Sequence, residues 1–225
     1  MRHLIYKLIH LFSKLFIKKD KLKYDLIIVK PDALGDFSIF TPFLYTLLDQ
    51  EYAEKKVLFI GNTACRDLAS AFKLQNNLNF LWLDRRKFSR DLFYRFRKEL
   101  LLQTISCKKL ICPIYQDDQY TADYIVRAIY GKSKITMRLN EDHLLKSLND
   151  KTYSKIILSK LNHAFEIDLH NNFLSKVFKK NFSKTPDNAP ISSVDINIFD
   201  LPDSYYVVFV GASDCRRKWG DSRSR

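Results

Sequence analysis

Residues Asp25–Pro42 read DLIIVKPDALGDFSIFTP, and this stretch decides the fold. The apolar run Leu26–Val29 predicts a buried strand. A short polar turn with Gly35 and Asp36 follows it, and then apolar residues recur at helical spacing. A strand that leads through a loop into a helix is typical of an open α/β sheet, which binds ligands at the carboxyl ends of its strands. Asp36 is therefore expected where a carboxylate meets a ligand.

Strands and helices alternate along the next 160 residues or so, as expected of βαβ units. The predicted strands are Lys56–Gly61, Leu78–Asp84, Lys109–Ile114 and Lys134–Met137. The predicted helices are Phe37–Glu54 with Pro42 near its first turn, Ala64–Lys73, Phe88–Thr104, Asp118–Tyr130 ending at Gly131, and a long one at about Thr152–Phe182. Short apolar strands alternating with helices predict an α/β fold with a doubly wound parallel sheet, here over residues 20–182.

The end of the chain changes in character. Ser183–Ser204 contains three prolines among polar residues and is predicted to be an interdomain linker. Tyr205–Val210 then forms one more apolar run, predicted to be a strand that opens a second α/β unit over residues 205–225. A lone strand does not bury itself, so the sequence is interpreted as truncated at its C-terminal end.

The first 19 residues, Met1–Lys19, predict a basic amphipathic helix. Its polar stripe consists of His3, Lys7, His10, Lys14 and Lys18, opposite Leu4, Leu8, Leu11, Leu15 and their neighbours. The lysines interrupt it too often for a membrane-spanning helix of about 20 apolar residues. Either it lies on the inner face of a membrane with its lysines at anionic headgroups, which the pattern favours, or it packs on its own domain or a partner subunit.

Charge and cysteine usage narrow the classes of function. The 225 residues carry a formal net charge of +13, which favours polyanions such as nucleic acid, anionic lipid or a phosphorylated substrate, although surface lysines that only aid solubility give the same number. The four cysteines are Cys65, Cys107, Cys112 and Cys215, at no metal-like spacing, and they are expected to be reduced, with Cys112 in the core. The dinucleotide, P-loop, zinc-protease and nucleophile-elbow motifs are all missing from the sequence.

Two loops that follow strands carry candidate chemistry. At the first, Gly35 permits a tight turn and close backbone approach to a ligand, while Asp36 either accepts a proton from a substrate hydroxyl or, more commonly for such an Asp, caps the helix. At the second, Gly211-Ala212-Ser213 precedes Arg217 and Lys218, which together suit a phosphate or else form a solvated basic tail. His163 and His170 are interpreted as surface or packing residues rather than metal ligands.

Taken together, these segments resemble glycosyltransferase family 9, the lipopolysaccharide heptosyltransferases. The family's loop after the first strand, (S/D)-A-(hydrophobic)-G-D followed by T-P, is matched by Asp32–Asp36 and Thr41-Pro42. Its later G-A-S, three residues, K-R-W pattern is echoed by Gly211–Ser213 and Arg217–Trp219, and HAFEIDLHNNFL at His163–Leu174 is similar to the family's helix before the linker.

The resemblance implies the GT-B arrangement, with an acceptor-binding Rossmann-like domain at residues 20–182 and only the start of a donor domain. It implies inverting transfer of a heptose or related sugar from an ADP-sugar to the lipid A–core glycolipid, at the cytoplasmic face of the inner membrane, without a cofactor or essential metal. Asp36 would be the general base. Ser213, Arg217 and Lys218 would bind the donor phosphates, with the backbone at Gly35 and Gly211 lining the site.

Two departures bear on activity. Arg217 stands where the family has Lys, and most of the donor domain is missing after Arg225, so the activity of the chain alone is in question. The alternative hypothesis is a non-catalytic basic α/β module that binds a membrane surface or another polyanion. Nucleic acid is not expected as the partner because no recognised RNA-binding motif is present.

Overall fold

The structure is a computed structural model that describes residues 6, 8–11, 22–72, 77–115, 118, 121–139, 151–159 and 165–182. All of them belong to one compact unit, Met1–Ile191. The strands are β1 Leu22–Lys30, β2 Val57–Asn62, β3 Leu78–Leu83, β4 Ile105–Cys112, β5 Tyr130–Arg138 and β6 Lys155–Leu158. The helices are α1 Leu34–Glu51, α2 Arg66–Ala71 after a 3-10 turn at Thr63–Cys65, α3 Arg85–Arg90, α4 Leu92–Gln103, α5 Ala122–Ala128 and α6 Glu166–Phe178.

The six strands form one parallel sheet in the order β3-β2-β1-β4-β5-β6. The chain builds outward from β1 through β2 to β3, then returns to the other side of β1 and continues through β4 to β6. Parallel strands covered on both faces are apolar on both faces, which explains the unbroken run Leu26–Val29 in β1. The predicted doubly wound parallel sheet is confirmed.

Helices cover both faces, and successive residues of β1 point into two separate cores. Leu26 and Ile28 pack with α1 and α6, whereas Ile27 and Val29 pack with α3, α4 and α5. The first core is rich in aromatic rings from α1, including Phe37, Phe40 and Phe43. Burial of each such side chain stabilises the fold by about 1.5–3 kcal/mol.

Helix α1 begins earlier than the sequence indicated. It starts at Leu34, where Phe37 N–H donates to the Ala33 carbonyl at 3.0 Å, rather than at Phe37. Pro42 therefore lies in the helix interior and not near its first turn, as the sequence pattern had suggested. Proline has no N–H to donate to the carbonyl four residues back, so one bond of the helix is missing there.

Two further predictions about α3 to β5 were wrong. The predicted helix Phe88–Thr104 is two helices, because Asp91 is extended and its carboxylate accepts a hydrogen bond from Tyr94 N–H at 2.9 Å, which caps α4. Gly131 does not end a helix: α5 stops at Ala128, and Gly131 pairs with Cys107 of β4 inside β5. A Cβ on Gly131 would lie 3.2 Å from Cys107 Sγ, so glycine serves close strand packing there.

The long helix predicted at Thr152–Phe182 was also wrong in its first part. Lys155–Leu158 forms β6, which pairs with Ile135–Arg138 of β5, and the helix α6 begins only at Glu166. The two adjacent isoleucines of β6 are β-branched and suit the edge of a sheet better than a helix.

The described N-terminal residues pack on the domain itself, which is one of the alternatives left open by the sequence. Tyr6 and residues 8–11 are helical, with Tyr6 and His10 buried against the domain and Leu8 and Leu11 exposed. The segment thus packs on its own domain through a residue of the predicted polar stripe. No helix of the described part of the chain is long and apolar enough to cross a membrane.

The described cysteines are reduced, as expected. Cys65, Cys107 and Cys112 are all buried without a disulfide bond, and burial raises the pKa of Cys112 to about 12. Cys112 belongs to the core as predicted, whereas Cys215 lies outside the described residues.

Candidate functional site

The candidate site lies at the carboxyl end of β1, where the strand order reverses. The chain leaves β1 on one side towards β2 and later returns on the other side as β4, so the carboxyl ends of β1 and β4 flank a crevice. Residues 31–33 connect β1 to α1 at this point, and Pro113 follows β4. The Lys30 ammonium lies 3.5 Å from the Pro113 carbonyl oxygen and connects the two strand ends.

Asp36 occupies the third position of α1 and caps the helix. Its Oδ2 accepts a hydrogen bond from the Ala33 N–H at 3.4 Å, so the capping interpretation of this residue is confirmed. The side chain is only half-buried. The carboxylate therefore stands at the mouth of the crevice, at the helix N-terminus, where the backbone dipoles favour negative charge.

Of the two roles expected of Gly35, a tight turn and close approach to a ligand, the structure shows no need for the first. It lies inside the first turn of α1, and none of the described glycines has a positive φ, so no tight turn demands it. A Cβ placed on Gly35 would meet no protein atom within 4 Å. Gly35 lies in a helical turn instead, and the open space beside its backbone leaves the close approach of a ligand as a prediction.

A buried lysine organises the acidic side chains around this loop. The Lys30 side chain is fully buried, and its ammonium lies 2.9 Å from Asp32 Oδ2 and 3.5 Å from Glu166 Oε1. It also lies 5.4 Å from the centre of the Phe40 ring. A charge this deep is stable only when it is paired, so Lys30 fixes both the loop and the start of α6.

Glu166 brings a distant part of the chain to the loop. Burial raises the pKa of the Glu166 carboxyl, the positive charge of Lys30 opposes this rise, and the negative charges of Asp36 and Asp32 add to it. The Glu166 carboxylate therefore interacts electrostatically with the carboxylates of Asp36 and Asp32 and with the buried ammonium of Lys30. Such perturbed pairs are common at functional sites, although structural ion pairs give the same pattern.

His170 extends the cluster into the core. Its Nδ1 is hydrogen-bonded to the Tyr115 hydroxyl, its Nε2 lies 3.4 Å from Glu166 Oε1, and its ring packs edge-on to Phe40 at 5.0 Å. Burial and the nearby Lys30 charge hold the pKa of His170 well below its usual value, so the ring is neutral. Its interpretation as a packing residue agrees with this burial, while His163 lies outside the described residues.

A basic cavity opens on the same edge of the sheet, at the carboxyl ends of β2 and β3. It measures about 680 Å³ and is lined by Asn62, Thr63, Ala64, Asp84, Arg85, Arg86, Ser89 and Arg90. Asn62 Oδ1 accepts a hydrogen bond from Ala64 N–H at 3.3 Å, and Arg85 lies 3.4 Å from Asp118. The guanidinium groups of this arginine cavity have the geometry to grip phosphate oxygens in pairs.

The structure thus places part of the predicted site. Asp36 and Gly35 lie at the sheet edge as expected, whereas Gly211, Ser213, Arg217 and Lys218 lie outside the described residues. Within the described ranges, no group of three or more His, Cys, Asp or Glu side chains is placed to hold a metal ion.

Sequence reasoning missed Lys30, Glu166 and the arginine cavity. A lysine that directly ends a buried apolar strand was the one signal for Lys30, because an unpaired ammonium is rarely buried. The basic run at Arg85–Arg90 was not singled out in the sequence. The run lies at the carboxyl end of β3, on the same edge of the sheet as the candidate loop, with β2 between them.

The fold is a Rossmann-like α/β domain of the kind found in GT-B glycosyltransferases. The chain matches the structure of the Escherichia coli heptosyltransferase WaaC with ADP at a TM-score of 0.53 and 17% identity, over 74% of this chain and 50% of that one. The chain also matches the structure of the same enzyme with ADP-2-deoxy-2-fluoro heptose, at a TM-score of 0.52 and 12% identity.

A family 9 glycosyl transferase from Veillonella parvula matches at a TM-score of 0.59 and 15% identity, over 92% of this chain and 60% of that one. No protein-family model and no curated protein matches the chain. The resemblance to glycosyltransferase family 9 is therefore confirmed at the level of the fold, and the chain spans about half the length of WaaC. A shared fold alone does not assign an activity.

Proposed function

We propose that this chain is the acceptor-binding part of a glycosyltransferase that transfers a sugar, a heptose or a related one, from an ADP-sugar to a phosphorylated glycolipid of the lipopolysaccharide inner core. The observation that carries the proposal is the half-buried Asp36 carboxylate at the crevice of a sheet whose fold is shared with heptosyltransferase WaaC. The structure of WaaC with ADP supports a nucleotide-activated donor.

In the proposed reaction, the acceptor hydroxyl oxygen attacks the anomeric carbon of the donor sugar. The hydroxyl proton goes to the Asp36 carboxylate as the new C–O bond forms, and the bond to the diphosphate breaks so that ADP leaves with its electron pair. Attack opposite to the leaving group inverts the anomeric centre. A positioned general base of this kind contributes about a hundred- to ten-thousand-fold to the rate.

The arginine cavity supports a phosphorylated acceptor. Arg85, Arg86 and Arg90 line it at the carboxyl ends of β2 and β3, on the same edge of the sheet as Asp36. A phosphate held there would anchor the glycolipid and leave a neighbouring hydroxyl to reach the Asp36 carboxylate. An acceptor of this type is anchored in a bilayer, so the protein would act peripherally at the cytoplasmic face of the inner membrane.

The donor side of the proposal concerns residues outside the described part of the chain. Ser213, Arg217 and Lys218 are proposed to bind the ADP phosphates and to stabilise the departing diphosphate, with the backbone of Gly211 close to them. The domain limits are proposed as 1–19 for the amphipathic helix, 20–182 for the acceptor domain, 183–204 for the linker and 205–225 for the start of the donor domain.

The test is sugar transfer from ADP-heptose to lipopolysaccharide that lacks its heptose, measured for the protein and for Asp36→Asn. Asparagine keeps an oxygen that can cap α1, so the variant should fold normally while kcat falls by about a hundred- to ten-thousand-fold. Asp67→Asn is the matched control because Asp67 is an exposed aspartate in the first turn of α2. Equal turnover by Asp36→Asn would remove Asp36 from the chemistry.

The alternative function, a non-catalytic basic module, is favoured by the arginine cavity and by the net charge of +13. It predicts that the wild-type protein binds the phosphorylated glycolipid, shows no transfer and does not bind ADP-heptose in calorimetry. Binding of both ligands with transfer would reject the alternative.

A further inference from the structure

A second cavity lies at the amino edge of the sheet, opposite to the edge that carries Asp36. It measures about 520 Å³ and lies where β1, β4 and β5 begin, beside the residue that precedes β2. Cavities of about 300–1,000 Å³ are typical of sites for small molecules. We call it the lysine cavity, because four of the residues that line it are Lys23, Lys56, Lys108 and Lys132.

Most of the positive charge of the lysine cavity has no acidic partner. Asp25 is the one acidic residue among those that line the cavity. Its Oδ1 lies 2.7 Å from the Lys108 ammonium, and the hydrogen bond with Lys108 lowers the pKa of the Asp25 carboxyl. Asp25 is therefore ionised and matches the charge of Lys108. Within the described part of the chain, no carboxylate pairs with the three lysines that remain, Lys23, Lys56 and Lys132.

Two neighbouring lysines already serve the helix ends at this edge. Lysine is favoured there because the last carbonyls of a helix carry partial negative charge. Lys55 Nζ donates to the Glu51 carbonyl at the end of α1 at 2.8 Å. Lys134 Nζ donates to the Val126 carbonyl in the last turn of α5, also at 2.8 Å. The lysines of the cavity are therefore additional to those that the helices use.

Ammonium groups that gather around one cavity repel one another, and a bound anion removes that repulsion. The charges of Lys55 and Lys134 add to the field, since the first acts on Asp25 and the second on the Cys107 thiol, and both of these residues line the cavity. The lysine cavity is thus a concave, strongly positive site on a part of the fold that the proposed sugar transfer does not use.

Two tyrosines give the lysine cavity an apolar wall. Tyr24 is half-buried and packs against the core that α3, α4 and α5 cover, whereas Tyr130 is 59% exposed at the start of β5. An aromatic ring beside cations suits a ligand that has both anionic groups and an apolar part. A flat basic surface would suit a bilayer or a nucleic acid, but a concave cavity of this volume suits a small molecule.

We propose that the lysine cavity binds a soluble small molecule that carries phosphate groups and is about the size of a nucleotide. The ammonium groups of Lys23, Lys56 and Lys132 pair with the phosphate oxygens, and the tyrosine rings contact the rest of the ligand. The length of β1 separates this edge from Asp36, so the ligand takes no part in the chemistry of sugar transfer. The proposal does not rest on the proposed function, and its test needs neither donor nor acceptor.

Isothermal titration calorimetry with inorganic triphosphate measures the binding. The titration uses the full chain with Arg86→Gln and Arg90→Gln, so that the arginine cavity contributes little to the signal. Adding Lys56→Gln and Lys132→Gln should weaken the affinity on the order of tenfold, because two charge-assisted contacts are lost. Triphosphate should also raise the melting temperature of the first protein more than that of the protein with the added lysine changes.

The matched control adds Lys87→Gln and Arg97→Gln instead. These are exposed cations of α3 and α4, so the control removes the same charge away from the cavity. Solvent and salt screen charges that are distant from the ligand, and the affinity should change by less than about twofold. Thermal melting without triphosphate checks that every variant is folded.

Labelling with pyridoxal 5′-phosphate locates the site. The aldehyde of this aromatic phosphate condenses with a lysine amine to an imine, with loss of water, and borohydride reduces the imine to a stable secondary amine. Peptide mapping should show severalfold more label on Lys23, Lys56 or Lys132 than on the exposed Lys87, and triphosphate should protect them. Even labelling of exposed lysines, equal loss of affinity in both sets of variants, or protection by phosphatidylglycerol vesicles but not by triphosphate would overturn the proposal.

Discussion

Replacing Lys30 by methionine tests whether the buried lysine holds the candidate site together. Methionine matches the length of the lysine stem and suits the apolar surroundings near Phe40, so the change removes the charge without opening a large cavity. What remains is a pair of carboxylates, Asp32 at 14% and Glu166 at 36% side-chain exposure, without their shared cation.

The expected cost follows from this partial exposure. Removing one partner of a fully buried ion pair costs about 3–5 kcal/mol, because an unpaired charge is left in the interior. Both carboxylates here can recover some contact with water, so we expect Lys30→Met to lower the free energy of unfolding by about 2–3 kcal/mol. Lys108→Met is the control: Lys108 lies 2.7 Å from Asp25, but its side chain is 77% exposed, and the expected loss is about 0–1 kcal/mol.

Urea denaturation at pH 7.5 measures the loss in the free energy of unfolding for both variants. A double-mutant cycle of Lys30→Met with Glu166→Gln measures the coupling energy between Lys30 and Glu166. Glu166→Gln should recover part of the loss in Lys30→Met, since it removes one unpaired charge. Without Lys30, the pKa of Glu166 should rise further, because Lys30 is the charge that lowers it. An acid with a raised folded pKa loses stability as the pH rises, so the deficit of Lys30→Met should shrink towards pH 5. A loss no larger than that of Lys108→Met would refute this account of the site.

Two further predictions concern the neutral histidine and a crowded glycine. Because the pKa of His170 is held well below its usual value, the unfolded chain binds the extra proton first, and stability should fall by about 1.4 kcal/mol between pH 7.5 and 5.5. His170→Gln should remove this part of the pH dependence in urea titrations, and an unchanged dependence would show that His170 is not its source. Gly61→Ala would bring a Cβ to 2.7 Å from Trp82 and 2.8 Å from Phe59, so it should destabilise by about 1–3 kcal/mol, whereas Gly35→Ala, in open space within α1, should be neutral or stabilising in thermal melts. Equal melting temperatures for the two alanine variants would contradict the packing argument.

The sheet could be predicted from the sequence because its strands carry a local signal. Leu26–Val29 and the apolar run at β2 are recognisable without any knowledge of their neighbours, since both faces of a central parallel strand must be buried. The failures occurred where the deciding contact is distant in sequence. Lys155–Leu158 is too short for its two isoleucines to indicate a strand by themselves, and it pairs with the open edge of β5.

The candidate site could be predicted only in part, for the same reason. Asp36 follows a strand within a few residues, so a local pattern located it. Glu166 reaches the loop from a helix more than a hundred residues later, and no spacing along the chain indicates that it meets Lys30. The N-terminal segment is similar, because buried His10 meets Glu99 of α4, which lies 89 residues later in the chain.

The central position of β1 has a consequence for how the protein is made. Its first neighbour, β2, follows closely in the chain, but the strand that covers its other edge is β4. Lys30 at the end of β1 contacts the carbonyl of Pro113, just after β4, which is 83 residues further along the chain. At a synthesis rate of about 5–20 residues per second, that interval lasts on the order of 4–16 s. Throughout it, one edge of a highly apolar strand has no partner within its own chain, and such edges pair readily with other chains. The strand that carries the candidate site into place is thus also where a nascent chain is most open to aggregation or to a chaperone.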